Sequence, residues 1–204
     1  MNIERLLIAE NDFLFRYPGG FEHPDLVELG KKHKMSKMIE MTQAAFARDQ
    51  FDNLDAVMED WIRIVSRSSM VSVFEKPTFK NCLQSLSLKQ KQSLISGLYA
   101  QLHGDEEAGF NQVLEVLAYH KIAKWPLLTI IPAYYAPTDA VFMKPTTVKG
   151  VIAKYELTDL HYTPKPNWPF YLGYKQAIHE MKAKVDAQLS SSNAAFSGFL
   201  MMTM

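Results

Sequence analysis

The sequence is poor in the features that most readily announce a function. Its 204 residues include one cysteine, Cys82, so no disulfide can form within the chain, and a reducing, cytoplasmic setting is the expectation. Net charge is absent too: Lys plus Arg and Asp plus Glu both number 22, so no global field favours nucleic acid or an acidic membrane surface. Long apolar runs are missing. The stretch Ala194 to Met204 falls well short of the roughly twenty residues a membrane span needs, and the beginning, MNIERLLIAE, carries two acids and too short an apolar stretch for an export signal. No membrane partner is therefore expected.

Catalytic and cofactor signatures are also lacking. There is no GxxxxGK[ST] loop, GxGxxG turn, HExxH pair or GxSxG elbow, and one thiol excludes a multi-cysteine zinc site. The six histidines show no i, i+4 pair, so a metal centre would have to be assembled across the fold, for instance from Asp159, His161 and a distant acid. No cofactor is implied. Internal repeats and low-complexity tracts are absent.

What is present is helical patterning and enough apolar residue, 48%, to bury a sizeable core in one domain spanning 1–204. Leu54, Val57, Met58, Trp61 and Val65 make one amphipathic stripe. Ser87 and Gln90 form a capping box before Leu94, Ile95, Leu98 and Leu102, with Gly104 expected to stop that helix in a left-handed conformation. Asp105-Glu106-Glu107 opens the next helix with acids at its positive end, and so short a turn predicts an antiparallel pair. Ser36 suits a cap for a helix carrying Met38, Ile39, Thr42 and Phe46. Residues 1–22 read as a short helix followed by a loop pinned by its aromatic rings. Pro145 suits the first turn of a helix reaching about Tyr155, and Thr163 to Pro169 must be extended. The longest helix is expected to carry Tyr174, Ile178, Met181, Val185 and Leu189, and a last apolar segment holds Phe196, Phe199 and Leu200. The fold class is all-α. The exception left open is 127–143, where Leu127 to Ile131 suits a buried helix or a short strand pair; Pro126 and Pro132 favour helix.

Three groupings carry possible chemistry, and one basic run is distinguished only by its charge. Lys144-Pro145-Thr146-Thr147-Val148-Lys149 would place free N–H groups, two hydroxyls and two ammonium groups at a helix start, a combination suited to a phosphate; the alternative is a plain helix start with solvated lysines. Arg63, Arg67, Ser68, Ser69, Lys76 and Lys80 surround a helix end, where an ordinary solvated face is the competing account. Lys31, Lys32, His33, Lys34 and Lys37 form the one compact basic run. Aromatic and basic residues interleave from Tyr119 to Lys175, as in single-strand binders, although core formation accounts for most such rings.

The runs KWPLLT at 124–129, VFMKPT at 141–146 and YTPKPNWPFY at 162–171 resemble a bacterial family of uncharacterised proteins, chiefly over residues 100–175. That resemblance implies an origin and no activity. Pro137-Thr138-Asp139-Ala140-Val141 faintly resembles the active-site run of helix-hairpin-helix DNA glycosylases, but its valine stands one place early and the glycine hairpin is missing, so no catalytic role passes to Asp139. The function expected is a non-enzymatic module binding nucleic acid or another phosphate-bearing ligand through Lys144, Thr146, Thr147 and Lys149, with Arg67 assisting. The alternatives are an enzyme acting on such a substrate with Asp or His as acid or base, and a structural homodimer joined through its apolar C-terminal segment.

Overall fold

A computed structural model describes all 204 residues as eleven α-helices with no strand. The helices are α1 (Ile3–Arg16), α2 (Pro24–His33), α3 (Met35–Ala45), α4 (Leu54–Arg67), α5 (Glu75–Ser85), α6 (Leu88–His103), α7 (Glu106–Tyr119), α8 (Trp125–Tyr135), α9 (Pro145–Lys154), α10 (Trp168–Lys182) and α11 (Asn193–Met202). The buried apolar side chains form one contiguous cluster running from Leu6 to Leu200. No helix is long and apolar enough to cross a membrane.

Helix α8 lies at the centre, buried at every position from Trp125 to Tyr134 and packed by α3, α4, α6 and α7. The strand pair considered for 127–143 does not form. Pro126 fits the first turn, which needs no N–H donor, whereas Pro132 lies inside the helix, where it can give no N–H to the Leu128 carbonyl, and the helix ends three residues later. Thr129 supports the helix by donating its hydroxyl to the Trp125 carbonyl (2.8 Å) and accepting the Met143 N–H (3.0 Å), which ties the returning chain to the core.

The α6–α7 pair forms as its caps predict. The Ser87 hydroxyl accepts the Gln90 N–H while the Gln90 side chain accepts the Ser87 N–H, and the Asp105 carboxylate caps α7 through the Ala108 N–H. Gly104 does end α6, but with φ −140° and ψ −126° it is not left-handed. Nothing in the periodicity revealed how closely the two helices cross. A Cβ on Gly109 would lie 2.1 Å from the Gln101 nitrogen and 2.6 Å from the Gly97 oxygen, so the backbones touch where side chains would normally separate them.

Three further expectations change. Ser36 lies inside α3, and the break from α2 is made instead by Lys34, left-handed at φ 53°. Helix α1 runs 14 residues, and its following loop is pinned by Phe13 against Tyr17 and Phe21 while Phe15 points to solvent. Helix α10 stops at Lys182 rather than continuing to Leu189. The chain then turns back through a 3₁₀ turn capped by Asp186, which delivers Leu189 to the core from another direction and lets α11 follow. Phe196, Phe199 and Leu200 of α11 are fully buried within the chain, Phe199 meeting Phe13 edge-on at 5.2 Å. That apolar face is thus already covered without a second subunit.

Candidate functional site

Cations that remain unpaired at the surface are the groups able to meet a phosphate, so their placement decides which grouping can act. Lys144 is the N-cap of α9 and makes no side-chain cap, Pro145 opens the helix, and the N–H groups of Thr146 and Thr147 donate to no group in the chain. The two threonine hydroxyls are likewise unbonded. The Lys149 ammonium lies 5.5 Å from the centre of the Tyr162 ring, a cation–π contact. The α9 start therefore has the donors expected of it. Arg67, by contrast, sits at the exposed end of α4 with its guanidinium 3.5 Å from the Met41 sulfur, and no hydrogen bond or ion pair joins it to α9.

Arg67 belongs with a different set of residues. His33, at the end of α2, hydrogen-bonds through Nδ1 to the Ser69 hydroxyl at 2.9 Å, which brings the basic run against the loop joining α4 to α5. Residues 31–37 and 62–80 together hold eight Lys and Arg and one acid, Glu75, so the chain's overall neutrality hides a locally positive face. Lys31 pairs with Glu28 and Arg63 with Asp60, whereas Lys32, Lys34, Lys37, Arg67, Lys76 and Lys80 have no carboxylate within ion-pair distance. From the same loop project Val73, 69% exposed, and Phe74, 84% exposed. Sequence reading located the cations in two separate groups. It missed their convergence and the outward ring, because Met70-Val71-Ser72-Val73-Phe74 reads simply as apolar, and only Val71 of these is buried.

Most rings of the interleaved C-terminal half are withdrawn from any such use. Trp125, Tyr134, Tyr155, Tyr171 and Tyr174 are buried, and Phe110 stacks on Tyr171 at 5.4 Å. Burial pushes the Tyr171 and Tyr174 phenols far above the ordinary tyrosine range, with the Glu106 charge adding to the effect on Tyr171.

No family model, curated protein or solved structure matches this chain. Its chemistry must accordingly be read from the side chains.

Around α10 there is a second polar assembly, open to a cavity of about 490 Å³. The Lys175 ammonium, 11% exposed, donates to Asp139 at 2.6 Å and to both Glu106 oxygens at 3.0 and 3.3 Å. Burial disfavours its charge, but the hydrogen bonds and charges of Asp139 and Glu106 outweigh that cost and hold the amine above the ordinary lysine range. A lysine so held is neither a base nor a nucleophile at neutral pH. Its neighbours act as fasteners: Asn193 donates to the Asp139 and Ala140 carbonyls, Lys182 to Asn193 Oδ1 at 2.6 Å, and His179 Nε2 lies 2.8 Å from the Asp139 carbonyl. Asp139 thus anchors the 136–140 turn to α7, α10 and α11. His, Cys, Asp and Glu side chains nowhere gather in a group of three able to hold a metal ion, and Asp159 and His161 acquire no third partner.

Proposed function

We propose that the chain is a non-enzymatic module that binds single-stranded nucleic acid across the face built by the end of α2, the start of α3 and the α4–α5 loop. The observation that carries this reading is the His33–Ser69 contact, which joins the segment of Lys32, Lys34 and Lys37, all without an ion pair, to the loop from which Phe74 faces outward. Lys32, Lys34, Lys37 and Arg67 supply the phosphate contacts, and Phe74 supplies a ring on which a base can stack. Such a surface needs no base-edge code, and it follows a flexible strand better than a stiff duplex. The α9 start, with Lys144, Thr146, Thr147 and Lys149, is a second anion contact by the donors it leaves free.

The test is fluorescence anisotropy with labelled oligo(dT) over a range of salt. Reversing Lys32, Lys34 and Lys37 to glutamate should weaken binding and flatten the salt dependence by about 0.7 of a logarithmic unit for each phosphate deprived of its cation. Phe74→Ala should weaken binding by roughly 1–3 kcal/mol while leaving that slope unchanged. Lys144→Glu with Lys149→Glu asks separately whether α9 takes part. An oligonucleotide that fails to bind, or that binds the lysine-reversed protein with the same affinity and slope, removes the reading.

A further inference from the structure

Helices α1, α9 and α11 border an open cavity of about 400 Å³, whose lining includes Arg5, Asp12, Arg16, Lys154 and the buried ring of Phe13. Its walls are fixed to one another. Arg5 donates to the Lys154 carbonyl (3.1 Å) and pairs with Glu156 (3.0 Å), the Asn2 N–H bonds the Tyr155 carbonyl (2.7 Å), and the Tyr155 hydroxyl meets the Thr203 hydroxyl (3.1 Å). The shape is therefore held before any ligand arrives, which reduces the ordering cost of binding. Three cations border the space, Arg5, Arg16 and Lys154, and of these Arg5 is paired with Glu156. Arg16 and Lys154 carry no ion pair of their own, and the Lys154 ammonium lies 5.5 Å from the centre of the Tyr155 ring. More than half of the lining residues are apolar, so the space offers a greasy floor beneath a charged rim.

We infer that this cavity binds a small amphipathic monoanion, a carboxylate bearing a short apolar chain, with its charge at Arg16 and Lys154 and its chain toward Phe13. The volume lies at the small end of the roughly 300–1,000 Å³ typical of ligand sites, which suits a compact molecule. The two cations without an ion pair give the preference for an anion, and the apolar floor gives the preference for a chain over inorganic ions. The site lies apart from α2, α3 and the α4–α5 loop, and it takes only the far end of α9, so either reading can stand if the other fails.

Isothermal titration calorimetry of the full chain with octanoate, 1-octanol and octylammonium tests it. Octanoate should bind saturably, one to one, and more tightly than octanol, while octylammonium should not bind. Arg16→Glu and Lys154→Glu should each lower octanoate affinity by about tenfold or more, and Arg16→Gln and Lys154→Gln by less. Thermal unfolding of each variant identifies any loss that is only misfolding, and the milder pair then supplies the comparison. The inference is overturned if octanoate does not saturate, if octanol or octylammonium binds as tightly, or if the folded charge variants bind octanoate unchanged.

Discussion

Removing the Lys175 ammonium leaves the Glu106 and Asp139 carboxylates facing each other at the edge of the core without their shared donor. Lys175→Met should destabilise the protein by roughly 2 kcal/mol in chemical denaturation at neutral pH. That is the scale of hydrogen bonds to charged groups, lowered from the buried-pair range because Asp139 is 59% exposed and water screens it. The pH dependence has a definite sign. Since the folded-state pKa is raised, the contribution is complete below the ordinary lysine value of 10.5 and is lost as pH climbs through the higher folded value. The stability gap between wild type and Lys175→Met should accordingly be constant from pH 7 to 9 and close in strong alkali. At the same scale, Ser87→Ala removes the hydroxyl half of a capping box and should cost about 1 kcal/mol, read as a shift in denaturant midpoint with unchanged slope.

At the scale of helices, the contact between α6 and α7 makes the sharpest demand. Gly109→Ala must force the two backbones apart and should cost about 3 kcal/mol, whereas Gly30→Ala, inside α2 with nothing near its would-be Cβ, should stabilise by roughly 0.5–1 kcal/mol. Thermal melts of the two single variants should move in opposite directions. The same elements show what a sequence can disclose about a helix. The α4 stripe, the Ser87 box and the Asp105 cap were legible because each depends on neighbours within one or two turns. The length of α10 was not, since Val185 and Leu189 keep helical spacing while the chain reverses at Lys182 for reasons that lie in Asn193, Thr138 and α11. Close approach at Gly97 and Gly109 is equally invisible, because a glycine in a helix reads as a weakness until its partner is known.

Across the whole molecule, burial raises the phenols of Tyr134, Tyr155, Tyr162, Tyr171 and Tyr174 above their ordinary range. Each stays protonated in the folded state at a pH where the unfolded chain, with phenols near 10, has released its protons. Stability from these groups is complete below about pH 10 and falls as pH rises beyond it. Absorbance at 295 nm and helical circular dichroism should therefore change together in one alkaline transition as these buried phenols ionise. The proposed nucleic-acid face also belongs to this scale. Both of its basic groups could be picked out in the chain, but they are more than twenty residues apart, and only tertiary packing brings His33 to Ser69. The cavity between α1, α9 and α11 had no sequence signal at all, because Arg5, Arg16 and Lys154 read singly as ordinary surface charges.

The bare-backbone crossing at Gly97 and Gly109 also bears on the order in which the chain assembles. The two helices are joined by two residues, so their contacts close over a short loop and incur little of the entropy that pairing α1 with α9 requires. In contact with the central α8 through both of its helices, the hairpin is suited to be the early nucleus on which the distant ends later settle. Its amide protons should then exchange most slowly with solvent, and Gly109→Ala should retard refolding more than it hastens unfolding.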